Sequence, residues 1–226
     1  QSHENGVENL IFLGSSCIYP REAKQPLKEE YLLNGKLEPT NEAYALAKIC
    51  GIKFCSYLNK QFNRNYFSVM PCNLYGENDN FDIATSHFIP GLINKMHNAK
   101  KKNLSEIEIF GTGKPKREIL HVDDLANAIK KIIDLLIKKD KKLISIIKKY
   151  SFLNIGSGKD YTIKFYAEMI KQIMNIKVKF KFNDNYPDGT PRKLLNVDKI
   201  KSLGWTPKVK LKSGILKTYI WYKKNV

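Results

Sequence analysis

A tyrosine and a lysine four residues apart are the clearest candidates for chemistry in this chain. Tyr44 and Lys48 stand in the run YALAK, inside a stretch that predicts a helix over about residues 43 to 62. Residues four apart share a helix face, so the phenol and the ammonium point the same way. The cation favours phenolate and makes the phenol a better proton donor to a developing alkoxide. The same spacing also occurs by chance in many helices, where it has no catalytic role.

A serine that precedes this helix strengthens the catalytic interpretation. The run FLGSSCIYP places Ser15, Ser16 and Cys17 directly after an apolar segment, Leu10 to Leu13, which predicts a buried strand. A serine hydroxyl in this position could hold the oxygen that the tyrosine protonates. Serine, tyrosine and lysine together are the set required for reduction of a carbonyl group with a nicotinamide cofactor.

Strands and helices that alternate along the chain must position these residues. Further strands are predicted at 65–74, 107–110 and 152–155, and further helices at 87–97, 122–137 and 162–174. This alternation predicts an α/β fold with a mostly parallel sheet. Pro90 is expected to interrupt its helix early. The lysine-rich segment 138–150 is expected to be an exposed connector.

The composition favours a globular protein over a nucleic-acid-binding one. The chain has 226 residues, of which 42% are hydrophobic, enough for a substantial core. Its formal net charge of +17 raises the possibility of nucleic-acid binding. However, the lysines are spread along the chain, and no helix-turn-helix, zinc finger or aromatic RNA-binding signature accompanies them. We therefore expect no nucleic-acid partner, although the surplus charge suits a phosphorylated small ligand.

The sequence predicts a cytoplasmic protein with no membrane partner. No apolar run approaches the roughly 20 residues that a membrane helix needs, and no secretory signal opens the chain. The four cysteines, Cys17, Cys50, Cys55 and Cys72, contain no CxxC pair. In a chain of this size they suit reduced thiols in a cytosolic protein better than a disulfide framework.

Six stretches together resemble the extended short-chain dehydrogenase/reductase family and, within it, the GDP-L-fucose synthase family. They are LGSSCIYP at 13–20, LEPTNEAYALAK at 37–48, SVMPCNLYGENDNF at 68–81, SHFIP at 86–90, REILHVDD at 117–124 and PDGTPRKLL at 187–195. The resemblance implies a Rossmann-type fold, an NADP(H) cofactor, a GDP-sugar substrate and a homodimer. The implied activity is 3,5-epimerisation and 4-keto reduction of GDP-4-keto-6-deoxy-D-mannose to GDP-L-fucose.

The same resemblance implies a role for each catalytic residue. Ser15 would hydrogen-bond the C4 carbonyl oxygen, Tyr44 would protonate it, and Lys48 would bind the nicotinamide ribose and tune the phenol. Cys17 would remove the protons at C3 and C5, which are acidic because they lie α to the C4 ketone. His87 would return protons on the opposite face. Without the resemblance, Cys17 is read as a small buried hydrophobe and His87 as a loop residue.

Binding residues follow from the resemblance as well. Contacts to the cofactor are implied for Leu13, Gly14, Ser15, Ser16, Tyr44, Lys48, Pro71, Cys72, Asn73, Leu74 and His87. Contacts to the substrate are implied for Lys95, Phe110, Arg117 and Asp188. Lys95 replaces a common arginine, which would lose a bidentate contact, and Phe110 replaces a usual tryptophan. Arg117 could instead form a surface salt bridge, Phe110 fill a core and Asp188 shape a turn. No metal is implied.

The sequence departs from the family at its start. The family begins with a βαβ unit whose G-x-x-G-x-x-G turn holds the cofactor pyrophosphate, and these residues contain none. At about 30 residues per unit, we expect three units, or roughly 90 residues, to be missing. Residues 1–80 would be the C-terminal part of the NADP-binding Rossmann domain. Residues 81–226 would be mainly a smaller α/β substrate domain, with returns to the Rossmann sheet at about 115–160.

Two other functions remain open from the sequence. A nucleotide-sugar 4-epimerase or 4,6-dehydratase shares the serine, tyrosine and lysine but does not need Cys17 and His87. Dehydratases usually place an acidic pair after the serine, where this chain has Cys17-Ile18. A catalytically inactive binding protein is the second alternative, because the expected phosphate-binding loop is not among these residues.

Overall fold

Strands and helices alternate along the chain, and the computed structural model describes all 226 residues. The strands are β1 Asn9–Leu13, β2 Asn65–Pro71, β3 Asn73–Tyr75, β4 Glu106–Phe110, β5 Lys116–His121, β6 Phe152–Ile155, β7 Asp160–Thr162, β8 Lys179–Asn183 and β9 Arg192–Lys193. The helices are α1 Glu42–Phe62, α2 Phe88–Lys101, α3 Val122–Ile137, α4 Lys141–Tyr150, α5 Ile163–Met174, α6 Asp198–Ser202 and α7 Leu211–Asn225. None of these helices has the length and apolarity needed to cross a membrane. The predicted α/β class is confirmed.

The first sheet has the order β1-β2-β6, and both of its strand pairs are parallel. β1 lies at an edge and has one neighbour in the sheet, so it is only half-buried, and Leu13 is exposed. The expectation of a fully buried first strand was therefore wrong for these residues. The predicted strand 65–74 is divided into β2 and β3, because Cys72 leaves the ladder after its amide bonds to the Ile155 carbonyl.

The remaining strands form two smaller sheets. β5 is the centre of one: it pairs in parallel with β3 and β9 and antiparallel with β7. β4 and β8 form a separate parallel pair. Two hydrophobic clusters accompany this division, one around β2 and β6 and one around α2, α5 and α7. All strand pairs except β5–β7 are parallel, which confirms the mostly parallel arrangement.

Helix α1 carries its residues across the first sheet. Its buried side chains recur every three or four residues, the period of a helix face packed on a core; they are Ala45, Ile49, Ile52 and Cys55. Gly51 lies where a Cβ atom would come within 2.4 Å of the Phe12 ring, so a glycine lets the helix approach β1 closely. The helix ends at Asn63, whose φ of 50° is left-handed. The first turn of α1 is thereby fixed beside the end of β1.

Two expectations about helices need correction. Helix α2 is continuous from Phe88, because Pro90 lies in its first turn, where the missing N–H would have no intrahelical partner. The segment 138–150 is not an exposed connector, since residues 141–150 form α4. Asp140 caps this helix by accepting from the Leu143 amide, and Leu143 and Ile147 are buried. The many lysines of this segment favoured an exposed connector, although two buried apolar side chains anchor the helix to the core.

Candidate active site

The carboxyl ends of β1 and β2 bring together two predicted cofactor-binding segments. Leu13 to Ser16 follow β1, and Pro71 to Leu74 follow β2. Leu13 pairs with Val69, and the Gly14 amide donates to the Val69 carbonyl at 2.9 Å. Parallel α/β sheets bind ligands outside the carboxyl ends of their strands. The structure therefore provides a common edge for these segments, although their contacts to a cofactor stay predictions.

Lys48 connects helix α1 to the end of β1. Its ammonium donates to the Leu13 carbonyl oxygen at 2.8 Å and lies 5.5 Å from the centroid of the Tyr44 ring. The Phe12 ring is at 5.2 Å from the same nitrogen. Tyr44 itself is 47% exposed. The helix thus presents a phenol beside a fixed cation at the open end of the sheet, as the spacing of the two residues predicts.

Ser15 and Cys17 lie in a short turn after β1. The Ser15 hydroxyl oxygen accepts from the Cys17 amide at 3.3 Å and caps the 3₁₀ turn Ser16–Ile18. The Ser16 side chain is buried in this turn, whereas Cys17 is half-buried. The Cys17 sulfur is 3.6 Å from the ammonium of Lys193 in β9. The turn therefore places a thiol next to a cation from a distant part of the chain.

A cavity of about 270 Å³ gathers the predicted substrate residues. Its lining includes His87, Lys95, Phe110, Arg117 and Asp188. His87 is exposed and precedes the first residue of α2, and its side chain makes no capping hydrogen bond there. These five residues come from α2 and the residue before it, from β4 and β5, and from the loop before β9. Their grouping in one cavity supports a shared ligand, but their individual roles stay predictions.

Lys95 and Phe110 form a stacked arrangement with a residue that the sequence did not single out. The Lys95 ammonium lies 3.7 Å from the centroid of the Phe110 ring, and Tyr186 stacks on that ring at 4.0 Å. The ammonium also donates to the Glu108 carbonyl at 3.3 Å. Burial lowers the pKa of Lys95, and the charge of Glu108 opposes this change. Lys95 is therefore partly desolvated against an aromatic face.

Arg117 and Asp188 hold the loop before β9. The Arg117 guanidinium donates to the carbonyl oxygens of Thr190 at 2.6 Å and Asp188 at 3.1 Å. The Asp188 carboxylate accepts from the amide and the hydroxyl of Thr112 at 2.8 and 2.7 Å. Burial lowers the pKa of Arg117, whereas the charges of Asp188, Cys17 and Glu38 raise it. Asp188 thus joins its loop to Thr112, and Arg117 holds the same loop through its backbone carbonyls.

The segment after β2 differs from the other predicted contacts in its burial. Pro71 and Cys72 are buried, whereas Asn73 and Leu74 are half-buried. Burial raises the pKa of the Cys72 thiol well above its ordinary value. Cys72 therefore stays neutral in the core, and only the backbone or the Asn73 and Leu74 side chains of this segment can reach a ligand directly.

The buried side chain of Glu118 connects two backbone segments near the site. It lies in β5 next to Arg117 and accepts from the amides of Gly158 at 2.6 Å and Leu195 at 2.8 Å. Burial raises its pKa to about 7. The side chain therefore ties the loop after β6 to the segment that follows Lys193. The sequence analysis did not single out Glu118, although it lies within the quoted run REILHVDD.

The sequence of this chain is similar to those of known nucleotide-sugar enzymes. The profile of the NAD dependent epimerase/dehydratase family matches residues 1–146. The chain is 48% identical to GDP-L-fucose synthase 1 of Arabidopsis thaliana, covering 100% of this chain and 66% of that protein. It is 46% identical to GDP-L-fucose synthase of Escherichia coli (strain K12), covering 99% and 69%. It therefore spans about two thirds of the length of these curated relatives.

The fold of this chain is also similar to that of a solved structure. A GDP-D-glycero-L-gluco-heptose synthase from Campylobacter jejuni, solved in the presence of NADPH, superposes with a TM-score of 0.87 at 36% identity. The alignment covers 98% of this chain and 72% of that one. The parallel arrangement of β1, β2 and β6 is accordingly part of a Rossmann-type fold.

Proposed function

This chain belongs to the NAD dependent epimerase/dehydratase family, and we propose that the protein converts GDP-4-keto-6-deoxy-D-mannose to GDP-L-fucose by 3,5-epimerisation and NADPH-dependent 4-keto reduction. One observation carries the proposal. Tyr44, Lys48 and Ser15 lie at the carboxyl end of β1, in a chain 46–48% identical to proteins named GDP-L-fucose synthase. The residues needed to protonate a carbonyl oxygen are therefore present, and the named relatives indicate which class of substrate carries that carbonyl.

The end of β1 fits the nicotinamide half of NADPH. The Lys48 ammonium is fixed by the Leu13 carbonyl, and the neighbouring Tyr44 is open to solvent, so both can meet a ligand without repacking the core. In this proposal Leu13 to Ser16, Pro71 to Leu74 and His87 line that half of the site. The cofactor supplies a hydride when bound, and the residues of this chain supply orientation and protons.

Reduction of the ketone needs a proton at its oxygen. Tyr44 donates this proton as negative charge develops on the C4 oxygen, and Ser15 holds the same oxygen by a hydrogen bond. Lys48 binds the nicotinamide ribose and stabilises the phenolate that Tyr44 becomes. Because these interactions strengthen as the alkoxide forms, they lower the barrier for reduction more than they tighten substrate binding.

Epimerisation needs a base and an acid on opposite faces of the sugar. The thiolate of Cys17 removes the proton at C3 or C5, and the electron pair of the C–H bond moves into an enolate at the C4 oxygen. His87 then returns a proton to the same carbon from the other face, which inverts its configuration. A thiol and an imidazole suit this exchange because a thiolate can accept a proton and an imidazolium can donate one.

The 270 Å³ cavity would hold the nucleotide part of the substrate. Lys95 and Arg117 supply positive charge for the diphosphate, and Phe110 supplies an aromatic wall. Asp188 would contact the sugar nucleotide from the loop that Arg117 fixes. The division of the chain into a Rossmann part, 1–80, and a mainly substrate-binding part, 81–226, accompanies this assignment as a proposal.

We also propose a homodimer in the cytoplasm. Helix α1 exposes an apolar stripe at helical spacing, formed by Leu46, Cys50, Phe54 and Tyr57, and a stripe of this kind is suited to pair with a second copy. The cysteines are all free, which agrees with a reducing compartment. Sedimentation of the full-length protein should show a dimer, and Phe54→Lys should shift it toward monomer. A wild-type monomer would refute this part.

The function is tested by product analysis in D₂O. The full-length protein is incubated with GDP-4-keto-6-deoxy-D-mannose and NADPH, and the product is examined by NMR. We expect oxidation of NADPH and deuterium at C3 and C5 of GDP-L-fucose. NADPH consumption without deuterium at either carbon would favour a simple 4-reductase. Neither NADPH consumption nor exchange would favour a binding protein, and turnover of a 4-hydroxy sugar instead of the ketone would favour a 4-epimerase or 4,6-dehydratase.

A further inference from the structure

Lys193 is the charged side chain in contact with the sulfur of Cys17. Its ammonium lies 3.6 Å from that atom, although the two residues are 176 positions apart in the chain. Strand β9, which carries Lys193, pairs with β5 so that Lys193 stands opposite Arg117. The pairing with β5 therefore fixes the backbone from which the Lys193 side chain reaches Cys17.

The other charged groups around Cys17 are already engaged elsewhere. Arg117 donates to the Thr190 and Asp188 carbonyls, and Arg192 forms an ion pair with Asp160 at 2.5 Å. Glu38, which lines the same small cavity as Cys17, accepts from Thr40 and Thr190 and pairs with Arg21 at 3.5 Å.

Lys193 has no such competing partner. Its ammonium donates to the Cys17 sulfur, and the structure gives it no carboxylate within ion-pair distance. It is therefore the cation in hydrogen-bond contact with the sulfur, and it can compensate a negative charge there. A half-buried thiolate needs such compensation, because removing an anion from water without a partner is costly.

We propose that Lys193 is a positioning residue that stabilises and orients the Cys17 thiolate for proton removal at C3 and C5. This inference rests on the proposed epimerisation. The proton leaves the sugar carbon for the sulfur, the C–H electron pair enters the enolate, and Lys193 keeps its own proton throughout. The ammonium forms an ion pair with the sulfur before the transfer and a hydrogen bond to the neutral thiol after it.

The test compares Lys193→Gln with Lys193→Arg in the full-length protein. Alkylation by iodoacetamide at pH 7 is followed by mass spectrometry at the Cys17 peptide, and the exposed Cys50 serves as the reference thiol in the same sample. We expect Lys193→Gln to slow alkylation of Cys17 at least about tenfold, because only the thiolate reacts. Lys193→Arg should stay within about threefold of wild type, since it keeps the charge. The Cys50 rate should not change in either variant.

A second readout separates this role from substrate binding. In Lys193→Gln, exchange of deuterium into C3 and C5 should fall with the alkylation rate, while KM for the GDP-sugar should stay within about twofold. A raised KM with an unchanged Cys17 alkylation rate would show that Lys193 binds the substrate diphosphate instead, and would overturn the proposal. So would an unchanged alkylation rate in both Lys193→Gln and a second neutral variant, Lys193→Met.

The two readouts also distinguish this inference from the proposed function. If alkylation of Cys17 slows in the neutral variants but the wild type exchanges no deuterium, the ion pair stands and epimerisation is refuted. In that case Lys193 positions a thiol that does not act on this substrate, and the claim about proton removal falls with the function.

Discussion

Two parts of the candidate active site each place a lysine beside a side chain proposed to transfer protons, and they do so by different routes. In the first, Tyr44 and Lys48 lie one helical turn apart on α1, and the cation is 5.5 Å from the ring centroid. In the second, the Cys17 turn after β1 meets Lys193 of β9 at 3.6 Å. The tyrosine is exposed, at 47%, whereas the cysteine is half-buried.

In the proposed mechanism, the difference follows from the charge that each group carries before it reacts. A phenol that protonates an alkoxide is neutral before the reaction, so it can stand in water beside its cation. A thiolate that removes a proton is charged before the reaction, so a half-buried one needs a cation in contact. Local helix geometry is sufficient for the first pairing, while the second needs strand pairing across most of the chain.

The largest expected effect is at Tyr44. Tyr44→Phe should reduce NADPH oxidation by roughly 100- to 10,000-fold, the usual contribution of a general acid, while binding of the GDP-sugar is retained. Steady-state kinetics and ligand titration of the full-length protein measure both. Tyr57→Phe, an exposed tyrosine on the same helix, is the matched control and should be unaffected. A loss below about tenfold for Tyr44→Phe would remove Tyr44 from the proton-donor role.

Cys17→Ser tests the other member of the comparison. A serine hydroxyl is far too weakly acidic to replace a thiolate as base, so exchange of solvent deuterium at C3 and C5 should fall by about 100-fold or more. Reduction of a 4-ketone should continue, because Tyr44 is untouched. NMR follows the exchange, and Cys50→Ser at an exposed position is the control. Undiminished exchange would make Cys17 structural and favour the 4-epimerase alternative.

How far the sequence could predict the site depends on the distance between partners. Tyr44 and Lys48 could be predicted because helix periodicity relates residues four apart. Lys193 could not, because no local rule relates β9 to the turn after β1, although it lies in the quoted run PDGTPRKLL. Tyr186 was missed for the same reason, since it lies in the loop after β8 and its partner Phe110 is at the end of β4.

The fold shows the same limit. The α/β class and the positions of α1, β2 and β6 follow from apolar periodicity. Helix α4 was missed because lysines flank its aliphatic residues on both sides, and only two of those residues, Leu143 and Ile147, are buried.

Leu143→Ala is a reference for the comparison of the two lysine pairs, because it should change the stability of the protein and neither pair. Leu143 is fully buried, so its truncation should lower the free energy of unfolding by about 2 to 5 kcal/mol. Because α4 packs on α3 and β6 away from both lysine pairs, the ratio of reduction to exchange should stay constant. Chemical denaturation measures the first quantity, and Ser145→Ala is the control. An unchanged free energy of unfolding would indicate that residues 138–150 form an exposed connector after all.

The smallest expected effect concerns Glu118, which accepts from the Leu195 amide and so holds the segment that follows Lys193. Burial raises its pKa from 4.5 to about 7, so the folded protein keeps a proton that the unfolded chain loses. This contribution to stability is present below about pH 4.5 and is lost as pH rises through about 7, and its limit is about 3 kcal/mol. Relative to Glu118→Gln, the wild type should therefore lose stability between pH 5 and 8 in denaturation experiments. A difference independent of pH would contradict the raised pKa.

The most direct test of the two-pair account is deuterium exchange in the Tyr44→Phe variant. If Tyr44–Lys48 acts in reduction and Cys17–Lys193 in epimerisation, this variant should still exchange deuterium into C3 and C5 within about tenfold of wild type, while NADPH oxidation is lost. NMR in D₂O and NADPH absorbance measure both in one sample. Loss of exchange together with oxidation would show that Tyr44 also stabilises the enolate at the C4 oxygen, and would contradict the division of roles between the two pairs.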